Sequence, residues 1–189
     1  IKATDTTAAP RRLTTNPGQD ASPVYSPDGA FIYYQGFQGD VYRIGYDRVF
    51  RIGKDGGDPV DVTPAADLEP STYVFTPDGK AVFFEATTRT TRAIYYMPLE
   101  TRQPVRLTGE RGVSGQAAFS RDRRRVAFVE ETPSSPQEIQ VAGLAERPPA
   151  GVIKNVTALT RHNADAGAWA VGLTDVVRWK SVDGREIEG

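Results

Sequence analysis

The chain contains no cysteine, which removes disulfides, zinc–thiolate sites and thiol nucleophiles together. Histidine is nearly as scarce, with His162 alone, and that scarcity counts against an active site belonging to these residues themselves. No apolar stretch approaches the roughly 20 residues needed to cross a bilayer as a helix. The first residues, 1–10, have neither the basic start nor the apolar core of a signal peptide, so no membrane insertion is expected. Charge of one sign is missing too. Lysine and arginine number 23 against 24 acidic residues, a formal charge of −1, so neither nucleic acid nor an anionic membrane surface is an expected partner. The one basic cluster, 121–125, reads as a solvated hairpin tip. Position 1 is Ile1 rather than methionine, from which a trimmed piece or processed product is expected. Cytoplasm and bacterial periplasm are both compatible with this composition.

What the chain does have is a phrase that recurs: Ser26-Pro27-Asp28-Gly29, Thr76-Pro77-Asp78-Gly79 and a worn copy, Ser120-Arg121-Asp122-Arg123. Each copy follows a short stretch ending in an aromatic (Tyr25, Phe75, Phe119) and precedes an apolar run (Phe31 to Tyr34, Val82 to Phe84, Val126 to Val129). Proline presets φ, aspartate bonds back to nearby amides and glycine accepts a positive φ, so Pro27-Asp28-Gly29, Pro77-Asp78-Gly79 and Asp122 mark hairpin turns. The copies start at 26, 76 and 120, a spacing within the range of propeller blades.

A third strand-like run follows each hairpin (Val49 to Ile52, Ala93 to Met97, Glu138 to Leu144), and a fourth ends in an apolar residue plus threonine (Val62-Thr63, Leu107-Thr108, Leu159-Thr160). Four strands per unit make a propeller blade. The expected organisation is a tail over 1–10 and a propeller segment over 11–160. Its blades span about 16–63, 64–108 and 109–160, with 11–15 as the orphan outer strand of an earlier blade. A linker follows over 161–175, then a hairpin over 176–189 turning at Asp183-Gly184. The fold class is therefore all-β: about three four-stranded blades of a larger, seven-bladed propeller. An arc of three blades cannot close, so self-association through exposed blade edges is expected. Residues 36–47 enlarge the first blade with Phe37, Tyr42 and Tyr46 in a projecting hairpin, and 132–136 and 147–151 have loop composition.

The order of these elements resembles the prolyl oligopeptidase family of serine peptidases, in particular its acylaminoacyl-peptidase and dipeptidyl-peptidase-like bacterial members. The elements that carry the resemblance are the Ser/Thr-Pro-Asp-Gly blades, Pro136-Gln137-Glu138-Ile139, the exit Leu159-Thr160-Arg161-His162-Asn163 and the run Trp179-Lys180-Ser181-Val182-Asp183-Gly184. It implies that 176–189 begins an α/β-hydrolase domain lying beyond this chain. The propeller would then restrict and position peptide substrates for a Ser/His/Asp site in that domain. No catalytic residue of the family is expected in this chain: Gly112-Val113-Ser114-Gly115 lacks the spacing of a Gly-x-Ser-x-Gly elbow, and His162 falls in the exit linker. The alternative is a stand-alone propeller that binds proteins, a scaffold of the Tol-system kind.

Other constellations have plainer readings. Asp55, Asp58 and Asp61 around Gly56-Gly57 could suggest calcium, but they fit a turn between third and fourth strands; no metal and no cofactor is expected. Glu69, Glu130 and Glu131 read as solvated carboxylates at strand ends. Asn155-Val156-Thr157 matches a glycosylation acceptor, but its Val156 and Thr157 belong to the final strand. Of Tyr33, Tyr34, Tyr95, Tyr96, Trp169 and Trp179, half are expected to pack in the core and the rest could form an aromatic surface.

Overall fold

The computed structural model describes residues 9–39, 45–66, 68–144 and 152–189. Tyr42, the loop 147–151 and the first eight residues of the tail lie outside the described residues. The chain divides into two compact units, Ile1–Asp61 and Val62–Gly189.

The first unit is one antiparallel sheet in sequence order: β1 (Asp20–Tyr25), β2 (Phe31–Gly39), β3 (Gly45–Gly53) and β4 (Val60–Asp61). The pairing of β2 with β3 runs unbroken from Phe31↔Gly53 to Gly39↔Gly45, so the additional residues of this unit lengthen its central hairpin. Residues 11–15 carry no strand among the described residues. Arg11 donates to the Asp55 carbonyl at 2.6 Å.

The second unit holds two further four-stranded meanders. One comprises β5 (Glu69–Phe75), β6 (Ala81–Thr88), β7 (Thr91–Pro98) and β8 (Val105–Arg106). The other comprises β9 (Val113–Phe119), β10 (Arg125–Thr132), β11 (Ser135–Gly143) and β12 (Thr157–Ala158). A parallel bridge, Arg92↔Val113, joins β7 to β9. We call the three meanders blades one, two and three. A 3-10 turn, Ala164–Ala168, occupies part of the expected linker, and the chain ends in a hairpin of β13 (Arg178–Lys180) and β14 (Glu186–Glu188).

Burial explains why β6 shows no alternation. All six residues from Ala81 to Ala86 are buried, because both faces of this strand are covered. Phe83 stacks on Phe119 at 4.7 Å and meets Tyr96 edge-on at 5.4 Å, while Phe84 stacks on Tyr73 and Tyr95. Phe83, Ile94, Leu107, Val126 and Phe128 form one core shared by blades two and three. Each such side chain, fully buried, stabilises the fold by about 1.5–3 kcal/mol.

The recurrent apolar-Thr ending has a physical basis. In blade two Leu107 enters the core, its N–H donates to the Ile94 carbonyl at 2.8 Å, and Thr108 Oγ1 accepts the Ile94 N–H at 3.2 Å. In blade three Leu159 and Thr160 treat Ile139 the same way, at 2.8 and 2.9 Å. In these two blades the hydroxyl thus continues the ladder beyond the two-residue outer strand.

Candidate functional site

The repeated turn is built from its first and third residues. Ser26 Oγ donates to Asp28 Oδ1 at 2.5 Å, Thr76 Oγ1 to Asp78 at 2.6 Å and Ser120 Oγ to Asp122 at 2.6 Å. The same carboxylate oxygen accepts the N–H of Ala30, Lys80 or Arg124. The C-terminal hairpin turns identically, with Ser181 donating to Asp183 and the Arg185 N–H returning to it at 3.2 Å. Asp28, Asp78, Asp122 and Asp183 are all held below the usual aspartate range, first by the hydroxyl and then by the backbone N–H. Pro27 and Pro77 occupy the exposed second position of their turns. The fourth residue takes a positive φ: 69° at Gly29 and Gly79, 82° at Gly184 and 59° at Arg123.

Arg123 corrects the reading of 121–125 as a wholly solvated tip. Its Nε donates to the Phe75 carbonyl of β5 at 2.9 Å and its guanidinium also reaches the Ser120 carbonyl, while Arg121, Arg124 and Arg125 are exposed. The worn turn therefore carries a tie between blades.

The most constrained polar group was not singled out by sequence reasoning. Glu85 lies mid-way along β6 with its side chain 7 % exposed, and its Oε2 accepts Arg92 Nη2 at 2.6 Å. Arg92 also approaches Ser71 Oγ at 3.4 Å, and Oε1 of Glu85 accepts the Ala117 N–H of β9 at 2.8 Å. That amide is available because β9 carries a bulge: pairing with β10 slips between Gly115 and Ala118, and Gln116 has φ 53°. The first strands of the other blades slip at the equivalent place, between Ala21 and Val24 and between Ser71 and Tyr73. Position 115 is tight, since a Cβ there would fall 3.0 Å from Glu85 Oε2 and 3.3 Å from Arg92 Nε. The signal in the sequence was a lone carboxylate inside Ala-Val-Phe-Phe-Glu-Ala-Thr-Thr, a strand otherwise free of charge. With one oxygen accepting from blade two and the other from blade three, this carboxylate serves as a joint between blades.

A second carboxylate organises the exit. Glu138, on β11, accepts the Thr160 hydroxyl, the Asn163 N–H at 2.7 Å and Asn163 Nδ2 at 3.2 Å. Those bonds, led by the Thr160 hydroxyl, hold its carboxyl below the usual glutamate range. Two separate sequence elements, 136–139 and 159–163, are thereby one structural feature. Further on, Glu188 of β14 accepts Arg89 Nη1 at 3.0 Å from the β6–β7 turn and Arg178 Nε at 3.1 Å from β13.

The remaining candidates fall as follows. Ser114 is buried in β9 and donates to Glu130 at 3.4 Å, so it sits in a strand and not on a turn that would present a nucleophile. Glu131 accepts Gln137 Nε2, Glu69 is exposed, and His162 is exposed in the exit. Asp55 pairs with Lys54 and Asp61 with Arg48, and no cluster of three metal-ligating side chains occurs among the described residues. Tyr33, Tyr34, Tyr95 and Tyr96 are all buried, leaving Trp169 and Trp179 as the exposed pair.

No family model matches the chain, and no curated protein matches it. Solved structures do. TolB from Acinetobacter baumannii is 23 % identical with a TM-score of 0.58, over 79 % of this chain and 34 % of that one. The isopeptidase AtxE2, in a structure with astexin3-dC4 bound, is 14 % identical with a TM-score of 0.64, over 96 % of this chain and 25 % of that one. The acylaminoacyl peptidase of Pyrococcus horikoshii is 15 % identical with a TM-score of 0.61, over 85 % of this chain and 23 % of that one. A protease β-propeller domain from Pyrococcus furiosus is matched as well. The chain thus spans about a third of the TolB structure and a quarter of the peptidases, and the fold is that of propeller blades.

Proposed function

We propose that these blades belong to the propeller of a serine peptidase of the prolyl oligopeptidase kind. In that role they restrict and position peptides for a Ser/His/Asp site in an α/β-hydrolase domain beyond Gly189. The observation that carries the reading is the extent of the AtxE2 match. It leaves 4 % of 189 residues uncovered, about eight, so it must take in most of 161–189 as well as the blades. The partners are then short or unfolded peptides and the hydrolase domain itself. The propeller acts by exclusion, admitting substrates by size, and supplies no bond chemistry. An isolated arc with uncovered blade edges would also self-associate.

The test is the natural gene product. Its intact mass should be roughly three times 20.6 kDa, it should be labelled by a fluorophosphonate, and it should hydrolyse short blocked peptides while sparing folded proteins. A product of 20.6 kDa that the probe does not label would sink the proposal.

One observation favours a second reading, a protein-binding propeller: the TolB match has higher identity than the peptidase matches, 23 % against 14–15 %. On that reading 176–189 is dispensable, and its deletion leaves the binding of a partner protein and the melting temperature unchanged.

A further inference from the structure

We infer that residues 160–188 form a strap across blades two and three, fastened by two polar clasps, Glu138 at its start and Arg89 at its end, so that solution conditions can release it without unfolding the blades. The inference stands whichever of the two functional readings holds.

Packing holds little of this segment. Among residues 161–189 only Ala166 is buried, and the large apolar side chains along it are open to solvent: Trp169 is 55 % exposed, Leu173 fully and Val177 62 %. The hairpin β13–β14 has two strands of three residues each, too little to persist unaided in water. What fastens it is electrostatic. At the first clasp Glu138 gathers Thr160 and both Asn163 donors. The charged neighbours there are Glu130, directly opposite on β10, and Arg161 and His162 of the strap itself. At the second clasp Arg89, at φ 52° in the β6–β7 turn, reaches Glu188 at 3.0 Å and Glu186 at 3.7 Å, with Arg178 closing on Glu188 from β13. The two clasps lie on different blades, so together they set the direction in which the chain leaves the sheet.

The clasps respond differently to solution conditions. Burial alone would raise Glu188, but the bonds from Arg178 and Arg89 outweigh it, and both carboxyls titrate below the usual glutamate range. The hold is therefore complete above about pH 4.5 and is lost as the pH falls through each lowered value. The Arg89–Glu188 clasp is also weakened by salt, because Arg89 is exposed, whereas the neutral donors of the Glu138 clasp are far less sensitive.

The chain provides its own probe, since both of its tryptophans, Trp169 and Trp179, lie in the strap. Tryptophan anisotropy and hydrogen exchange of the 189-residue chain should be compared for wild type, E138Q, R89Q and the double variant. Expected in E138Q is roughly tenfold faster exchange at Asn163, and in R89Q the same for Trp179 and Ile187, with β10 and β11 amides unaffected. The double variant should lose the slow component of the anisotropy while its circular dichroism stays that of strands. Raising salt to about 0.5 M should mimic R89Q and leave the Asn163 amide protected. If strap amides in the wild type exchange as fast as in the double variant, the clasps hold nothing and the inference fails. It fails equally if R89Q, an exposed substitution, accelerates β10 and β11 together with the strap.

Discussion

Blades two and three grow from one repeat and solve the same turn with different residues. At Thr76–Lys80 the positive φ falls on Gly79, which accepts it freely; at Ser120–Arg124 it falls on Arg123, where an L side chain meets a penalty of about 1–2 kcal/mol. The penalty is offset by what the side chain does there, donating to the Phe75 carbonyl and the Ser120 carbonyl at 2.9 Å each. The same contrast holds one strand along. Glu85 of β6 occupies the position that Val129 takes in β10, and among the described residues only blade two carries a buried carboxylate reaching into its neighbour. Repetition sets the hairpins, and departures from it supply the joints between them.

The joint is therefore where this comparison breaks most readily. Replacing Glu85 by alanine leaves the part-buried Ala117 N–H without its acceptor and strands Arg92. Because Arg92 is 39 % exposed and regains water, the lower end of the cost of breaking a buried pair applies, about 3 kcal/mol. Val129→Ala, at the matching place in blade three, should cost no more than about 1 kcal/mol, its side chain being only half-buried. Urea melts of the two variants check the ratio; equal losses would mean that Glu85 acts as ordinary strand filling.

Gly115→Ala sharpens the same point from the other side. The added methyl meets Glu85 Oε2 at 3.0 Å and Arg92 Nε at 3.3 Å, and the ion pair must shift, for about 1–2 kcal/mol of destabilisation by thermal melting. In the E85A background the added methyl should cost less, since its nearer obstacle is gone and Arg92, no longer paired, can move aside. Additive losses in the double variant would show that the bulge, and not the carboxylate, demands glycine.

The turns give a smaller contrast. Gly79→Ala should destabilise by about 1 kcal/mol, for the backbone alone, and Arg123→Gly by less. Glycine relieves the strain at 123 but forfeits both guanidinium bonds. A cycle of Arg123→Gly and Arg123→Ala, read by denaturant midpoints, separates the two terms, with alanine the worse because it keeps the strain and loses the bonds.

These contrasts also show which parts were legible. Ser/Thr-Pro-Asp-Gly is a local code, read by a side chain two residues from its own acceptor, so every hairpin it starts could be located from sequence. The apolar-Thr ending was visible because it recurs, although its partners lie 14 and 21 positions away. Glu85 was not: its partners are Arg92 and the Ala117 amide, the second 32 positions away and exposed only by a bulge that no composition announces. The segment 11–15 has the residues of an outer strand, but strand identity depends on a neighbouring strand that sequence alone does not place. Glu138 was quoted as part of a motif, yet that it clasps Thr160 and Asn163 depends on a fold that brings residues 22 and 25 positions apart together.

The smallest expected effect is the most general. Asp28, Asp78, Asp122 and Asp183 sit in four equivalent turns, and each is held below 3.8 by a hydroxyl donor first and a backbone N–H second. A carboxyl whose folded value is depressed adds stability that is fully present above its unfolded value and lost as the pH falls through the folded one. All four should therefore titrate together below pH 3.8, whichever residue holds the positive φ. Carboxyl chemical shifts followed by NMR would show Asp122, in the Arg123 turn, moving with Asp78, in the Gly79 turn. Removing the hydroxyl separates them: Ser120→Ala should raise Asp122 toward the ordinary range and leave Asp78 in place. If Asp122 instead stayed low, Arg124 nearby would be the stronger influence, and the worn turn would be held by charge where its sister is held by a hydroxyl.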